Sequence, residues 1–462
     1  MNKTGVERAK IELKGVRAVV VGLGSTGVSC ARFLAGRGAK VVLADDLSMD
    51  KLEKAKALIE ACPDVDIKAG AQGGIDLTGV SLVIVSPGVP YAHPLLSEAR
   101  RRGAEVISDI ELAWRFIDAP ILAVAGTNGK TTTTTLLGRT LQEAGFKVFV
   151  GGNIGTPAIE YVENGAAYDF CVLEISSFHL ETTLTFNPHI AALLNITEDH
   201  LDRYDSFEHY ANTKFRLFEN QTSEDFSVVN INDPVIAKRA GSGLGRGAVV
   251  PFTVSGEVDK GLFLRPGEIV YRPGNDGEEV YPTSGFKLIG LHNMENIMAV
   301  IAMARLVGAP QESVLASIFG FKGLPHRMEF VRTVDNVTYI DDSKGTNIGA
   351  LEMALRGMNS PVVLIAGGRD KGGDYGVLKT LVREKVRAMV LIGEARFKIQ
   401  DALGNLTDTL MALTLDEAVA VARSKAIAGD TVLLSPACSS FDMFKSYKER
   451  GERFKALVEG LK

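Results

Sequence analysis

Residues 120–137, PILAVAGTNGKTTTTTLL, constrain this chain more than any other stretch. The apolar run Ile121–Ala125 predicts a buried strand, and a turn of Gly126, Thr127, Asn128 and Gly129 follows it. Lys130 and five threonines then lead into Leu136 and Leu137, with helical character up to Gly145. Strand, Gly-rich turn and helix in that order form the setting a phosphate-binding loop needs. Small residues let the backbone wrap an anion. Successive N–H groups and the helix N-terminus point at it, and Lys130 adds a positive charge. Thr131 offers a hydroxyl to Mg²⁺. The first glycine of G-x-x-x-x-G-K-[ST] is missing: Val124 stands there, and the nearest glycine is Gly126. A generic strand-to-helix turn with a surface lysine is the plain alternative, and the flanking strand and helix weigh against it.

At 462 residues the chain exceeds what one hydrophobic core organises, so two or three domains are expected. Apolar residues make up 46% and charged residues 23%, the balance of a globular protein in water. A net charge of −5 argues against a general nucleic-acid binder and leaves room for a local basic pocket. Cys30, Cys62, Cys171 and Cys438 lie far apart without C-x-x-C spacing, as reduced thiols of a cytoplasmic protein would. The polar start MNKTGVERAKIELKG has no signal-peptide core, and no apolar run reaches the ~18 residues of a membrane span. The expectation is a cytoplasmic monomer without nucleic-acid or membrane partners.

Residues 17–45 read RAVVVGLGSTGVSCARFLAGRGAKVVLAD. Strand Arg17–Val21, a turn from Gly22 to Gly27, a helix and a strand over 40–44 make a full G-x-G-x-x-G in a βαβ unit. Asp45 lies 18 positions beyond the last glycine. On the motif alone this reads as dinucleotide binding; a Rossmann-like unit serving another nucleotide, or none, is the alternative. Leu82–Val85 predicts a strand ending at Ser86, Pro87 and Gly88, where ligand crevices of open α/β sheets form. Residues 107–116 read as the lead into the next domain.

Beyond the phosphate loop, a strand over 147–150 runs into Gly151, Gly152 and Asn153. A strand over 170–173 ends at Glu174, and one over 189–194 leads into NITEDHLDR with His200. An acid at the carboxyl end of a buried strand beside a phosphate loop is a natural Mg²⁺ ligand. Either residue alone would more often be structural; two strand ends aimed at one crevice favour ligands. Residues 206–220 predict an amphipathic helix with Phe207, Tyr210, Ala211, Phe215 and Phe218 on its apolar stripe. Lys214 sits beside that stripe, and its plain reading is a lysine snorkelling to water. Residues 241–287 are Gly-rich, with short strand-like pieces over 262–264 and 268–271, and read as a peripheral hairpin and loops. Asn293 and Asn296 lie one turn apart at the start of a helix, and capping needs only one of them.

GLPHRME, from Gly323, marks a further boundary. Strands over 337–340, 361–366, 387–392 and Thr431–Leu434 then each end in a polar or Gly-rich loop. The expected fold class is α/β with three domains. These are an N-terminal Rossmann-like domain over 1–112, a central P-loop ATPase-like domain with a parallel sheet over 113–323, and a C-terminal Rossmann-like domain over 324–462.

GTNGKTT, EISSFHLE, NITEDHLDRY, LHNMEN, PHRME, DDSKGTN, GGRDKG and LSPACSSFDMF, in this order over nearly the whole chain, resemble the Mur ligases. Within that family the chain is most similar to the members that add D-glutamate. The resemblance implies an ATP-dependent amide ligase of cytoplasmic peptidoglycan-precursor synthesis, with UDP-N-acetylmuramoyl-L-alanine, D-glutamate and ATP as substrates. It implies an acyl phosphate, formed from the alanyl carboxylate and the γ-phosphate of ATP and then attacked by the amine of D-glutamate.

The resemblance also implies that the N-terminal unit holds a UDP-sugar in place of a dinucleotide. Ser25, Thr26, Asp45, Asp46, Ser86, Gly88 and Asn153 are its implied contacts. Asp45, Asp46 and Leu47 stand where the family often has Asp-Thr and a basic residue. Gly126, Thr127, Asn128, Gly129, Lys130, Thr131 and Thr132 would hold ATP, with Asn296, Arg327 and Asp342 reaching in from outside the loop. Lys344, Thr346, Lys371, Ser440, Phe441 and Tyr447 would form the D-glutamate pocket, with Tyr447 where the family often has Phe. Thr131, Glu174 and His200 would hold two Mg²⁺ ions. Lys214 would be carbamoylated, an anion supporting the second of them. Lys130, Glu174, His200 and Lys214 are thus the implied catalytic set. The competing class is an NAD-linked oxidoreductase or nucleotide sensor built on GLGSTG. It leaves the second phosphate loop, Glu174 and His200 without a task. Alanine-adding Mur ligases and folylpolyglutamate synthetases are the neighbouring ligase readings; DDSKGTN with GGRDKG favours D-glutamate.

Overall fold

Long runs of Val, Ile, Leu and Ala become strands that are covered on both faces, which is how buried parallel sheets are made. The structure, a computed structural model, describes residues 11–48, 65–70, 74–201, 203–274, 277–288 and 290–461. Cys62 and the first ten residues of the polar start lie outside the described residues. The other three cysteines are free and buried. Among the described residues, no helix is long and apolar enough to cross a membrane.

Three sheets follow one another along the chain. The first holds β1 (Arg17–Val21), β2 (Lys40–Asp45), β3 (Asp66–Ala69), β4 (Leu82–Val85) and β5 (Glu105–Ser108) in the order 3-2-1-4-5, all parallel. The second begins with β6 (Ile121–Ala125), β7 (Val148–Gly152), β8 (Phe170–Glu174), β9 (Ile190–Leu193) and β10 (Phe226–Asn230). It continues through β11 (Ala248–Thr253), β12 (Gly261–Arg265), β13 (Glu268–Arg272) and β14 (Glu279–Pro282), in the order 14-13-12-11-10-9-6-8-7. The third holds β15 (Glu329–Val334), β16 (Val337–Asp341), β17 (Val362–Gly367), β18 (Val386–Ile392), β19 (Asp408–Met411) and β20 (Thr431–Leu434), ordered 15-16-20-17-18-19. Among the described strands, the pairs β12–β13, β13–β14 and β15–β16 are antiparallel and the other pairs parallel. The α/β class and its three successive units are as expected.

Three local expectations change. The hairpin expected within residues 241–287 is present as the antiparallel pair β12 and β13, but it is joined to the core: β11 pairs parallel with β10 and with β12, and β12–β14 extend the central sheet to nine strands. Phe252, Leu262, Phe263, Ile269, Val270 and Tyr281 are buried there, so the glycines punctuate strands that belong to the core. The lead into the second unit begins later than residue 107. Ile107 and Ser108 belong to edge strand β5, and Ser108 caps the short helix Asp109–Trp114 by accepting from the Glu111 N–H. The helix expected over 206–220 stops at Phe215 and continues as a 3₁₀ turn, Arg216–Phe218.

The first two units share one apolar core, in which Trp114 meets Phe186 edge-to-face at 6.0 Å. A buried carboxylate locks them further. Glu111 is fully buried and accepts N–H groups of Leu184, Thr185 and Phe186 at 2.9–3.1 Å and the Thr185 hydroxyl at 2.6 Å. Its counter-ion is Arg115, Nε to Oε1 at 3.0 Å, which also grips Glu105 in a bidentate pair. The third unit has its own two apolar clusters. Glu111→Ala would leave three backbone donors and a largely buried guanidinium short of an acceptor. We expect it to lower stability by about 3–5 kcal/mol, read from urea midpoints, and a loss under about 1 kcal/mol would refute this role.

Candidate functional site

The strand order places the phosphate loop. β6 lies between β8 and β9, and Val124 pairs with Glu174 on one side and Ala192 on the other. The turn after β6 therefore emerges with Glu174 on one flank and residues 195–200 on the other. Asn195 ties the flanks together: its Oδ1 accepts from the Asn128 N–H at 2.8 Å, and its backbone O accepts from the Thr127 N–H at 2.9 Å. Gly129 has φ of +83°, and a Cβ there would run into the Asn296 carboxamide, so only glycine fits. The helix Lys130–Glu143 then starts with its N-terminus open to the turn. Thr133 Oγ1 donates to Asn296 Oδ1 at 3.2 Å, and Asn296 in turn donates to Asn293, so both asparagines are packed against the loop.

Lys130 folds back over its own turn, donating to Gly126 O at 2.9 Å and Thr127 O at 2.8 Å. Burial pulls its pKa below the ordinary lysine value, while Glu174 and Asp199 pull it up. Glu174 is buried; its Oε1 accepts from Asn153 Nδ2 at 2.8 Å, and its Oε2 is buried with no hydrogen-bond partner.

Lys214 does not snorkel. It is 2% exposed, on the buried face of the helix Phe207–Phe215, and its Nζ donates to Gly126 O at 3.0 Å. Burial and then the neighbouring Lys130 drive its pKa well below the ordinary value. The helix is entered so that the flank of its apolar stripe faces the phosphate loop, which helical spacing alone does not determine.

His200 has φ of +56°, its ring packs 4.7 Å from Phe178, and its Nε2 lies 3.7 Å from Asp199 Oδ2. Asp199 is the acid that the sequence reading passed over, although it directly precedes His200. Burial works to raise its pKa, but Lys371, His200 and Asn347 hold it below the ordinary carboxylate value.

The third sheet supplies the opposite wall. Arg327 Nη2 donates to Thr131 Oγ1 at 2.6 Å. Asn347 Nδ2 donates to Asp199 Oδ2 at 2.9 Å, and Lys371 Nζ lies 3.4 Å from Asp199 Oδ1. A cavity of about 240 Å³ between the walls is lined by Asn128, Gly129, Thr132, Asn296, Arg327 and Asp342. Burial pushes Asp342 up to about 7, against hydrogen bonds from Ser435 and the Met328 N–H. Burial lowers Lys344 to about 8, aided by Arg327 and Lys130, and its Nζ sits 4.3 Å above the Tyr447 ring. Thr346 is tied to this loop through its N–H to Lys344 O at 2.7 Å. Ser440 is buried, but Phe441 is 64% exposed. The Met443 and Phe444 N–H groups fold back onto Ser440 O in the turn that carries Phe441.

A separate cavity of about 480 Å³ at the carboxyl edge of the first sheet brings together Ser25, Thr26, Asp45, Asp46, Ser86 and Gly88. Asn153 lies outside it, on Glu174. Asp45 is engaged by backbone: its Oδ2 accepts from the Leu23 N–H at 2.7 Å and its Oδ1 from the Leu47 N–H at 2.8 Å. A Cβ at Gly27 would run into Gly22 O, so the third glycine of the motif lets helix and turn pack closely.

Three family descriptions match along the chain. A Mur ligase MurD-like N-terminal domain matches residues 16–108, a Mur ligase middle domain 124–304 and a Mur ligase glutamate ligase domain 326–438. The first of these replaces the dinucleotide reading of GLGSTG. Two similar proteins are named UDP-N-acetylmuramoylalanine–D-glutamate ligase. That of Geotalea uraniireducens is 51% identical, over 98% of this chain and 99% of its own, and that of Geobacter metallireducens is 50% identical over the same shares. Among solved structures, the UDP-N-acetylmuramate-alanine ligase of Thermotoga maritima superposes with a TM-score of 0.59 at 20% identity, over 96% of this chain and all of its own. At that identity the likeness is one of fold. With three domain matches in order and relatives at this identity over nearly all of its length, the chain belongs to the Mur ligase family.

Proposed function

We propose that this Mur ligase joins D-glutamate to UDP-N-acetylmuramoyl-L-alanine with ATP, through an acyl phosphate, in cytoplasmic peptidoglycan-precursor synthesis. The observation that carries the reading is that the phosphate-loop Lys130, Glu174 with its unpartnered buried carboxylate oxygen, and Lys344 and Lys371 of the third unit lie near enough for their charges to act on one another. Gly126, Thr127, Asn128, Gly129, Lys130, Thr131 and Thr132 surround the ATP phosphates, which Lys130 and the open N-terminus of the helix Lys130–Glu143 hold. Asn296, Arg327 and Asp342 close on the nucleoside and the γ-phosphate. Ser25, Thr26, Asp45, Asp46, Ser86, Gly88 and Asn153 orient the UDP-sugar so that its alanyl carboxylate meets the γ-phosphate. Lys344 and Lys371 match a two-carboxylate amino acid by charge, with Thr346, Ser440 and Tyr447 around them. The domains run over 1–112, 113–323 and 324–462, and the enzyme works as a monomer.

The donor set suits a hard cation. Glu174 Oε2 lacks a donor, Thr131 offers a hydroxyl and His200 an imidazole. Thr131 and Glu174 would hold one Mg²⁺, and His200 with Lys214 a second. Bound there, Mg²⁺ supplies charge neutralisation for the phosphates and the developing acyl oxygen. An ammonium on Lys214 would oppose a cation. Its depressed pKa favours the neutral amine, the form that reacts with CO₂ to give a carbamate anion.

Two outcomes follow. Phosphate release from ATP with UDP-N-acetylmuramoyl-L-alanine is expected to require D-glutamate, with L-glutamate, L-alanine and meso-diaminopimelate near background; equal turnover with L-alanine would sink the assignment. Lys214→Ala is expected to fold, with turnover reduced about 10²–10³-fold and partly restored by acetate, which fills the space of the carbamate. Near-normal turnover in that variant would remove Lys214 from the catalytic set.

A further inference from the structure

The segment 86–89 after β4 carries Ser86 and Gly88, and a side chain of the central unit grips it from outside. Arg203 follows His200 by three residues, and its N–H donates to His200 O at 2.9 Å. Its Nη1 donates to Pro87 O at 2.8 Å and its Nη2 to Val89 O at 2.9 Å. Glu181 holds the same guanidinium in a two-pronged pair, Nε to Oε1 at 3.0 Å and Nη2 to Oε2 at 2.6 Å. The guanidinium carbon stacks 3.9 Å from the centroid of Phe178, the ring that His200 packs against. Both charged side chains are largely buried, at 13% and 8% exposure. A rigid planar fork can make these contacts at once; a flexible ammonium cannot.

The strand-end segment does not need Arg203 for its own shape. The Ser86 N–H donates to Val21 O at 3.0 Å, the Ser86 hydroxyl to Gly22 O at 3.2 Å, and the Val89 N–H to Ser86 O at 3.0 Å. What Arg203 fixes is the relation between this segment and the loop that bears His200. We propose that Arg203 is a positioning residue that sets the register between the UDP-sugar segment and the phosphate-transfer site, so that the acceptor carboxylate arrives in line with the γ-phosphate. Glu181 and Phe178 hold the guanidinium in the orientation this needs. The proposal rests on the ligase reading above.

The test uses the full chain with Arg203→Lys, Arg203→Ala and Glu181→Gln. Steady-state kinetics are read for each substrate, with UDP as a competitive inhibitor and melting temperature as a control. For Arg203→Lys, kcat/KM for UDP-N-acetylmuramoyl-L-alanine is expected to fall on the order of 10²-fold, the scale of a small misplacement of reacting groups. The Ki of UDP and the KM of ATP should stay within roughly threefold, as expected when binding of the separate parts is untouched. Glu181→Gln should move the same parameter in the same direction by less. An unchanged kcat/KM in an active enzyme would overturn the proposal. So would a matching loss of UDP affinity together with a fall in melting temperature, since that marks a structural tie alone. A wild-type chain that does not consume UDP-N-acetylmuramoyl-L-alanine would overturn the ligase reading itself, and the proposal with it.

Discussion

Two amines, Lys214 buried and Lys130 half-buried, donate to one carbonyl oxygen. Lys130 and Lys214 both reach Gly126 O, at 2.9 and 3.0 Å, inside a site from which water is largely removed. Burial depresses both, and each ammonium would worsen the other. Such an arrangement is relieved by negative charge, either from an incoming phosphate or from conversion of one lysine to an anion. Glu174 on one flank and Asp199 on the other supply only part of it. The geometry around Gly126 thus prepares the cleft for anionic ligands, and the parallel order of β9, β6 and β8 is what brings all of these groups to one edge.

The two interfaces around this cleft differ in kind. The first and second units share a continuous apolar core, sealed by Glu111 and its backbone donors. The third unit meets the second through polar contacts such as Arg327 to Thr131 and Asn347 and Lys371 to Asp199. Apolar burial resists separation, whereas hydrogen bonds exchange with water at little net cost. The third unit is therefore held to the second by contacts of the more exchangeable kind. Its contacts fall on side chains proposed to touch substrate, so they can be exchanged for ligand contacts.

Much of this was legible from residue order. The strand-turn-helix from Ile121 to Leu137, the G-x-G-x-x-G turn and the strand ends at Glu174 and Ser86 all lie where alternation and glycine spacing put them. These are local signals, carried by side-chain periodicity and turn chemistry. The plain reading of Lys214 as a snorkelling lysine fails because a helical stripe tells which face is apolar but not which element that face meets. The hairpin within residues 241–287 was legible, but its joining to the central sheet through β11 was not, because that pairing is with strands far away in sequence.

The sequence by itself determined the α/β class, the succession of three units and the loops at strand C-termini, because each depends on residues within a few positions of one another. The tertiary structure alone decided which of those loops face one another. It put Arg327 on Thr131, Asp199 between Asn347 and Lys371, Lys214 under Gly126 and Arg203 across two units. The physical reason is that strand order and domain docking are settled by long-range packing, and a charge that looks solvated in sequence acquires its role from what that packing brings beside it.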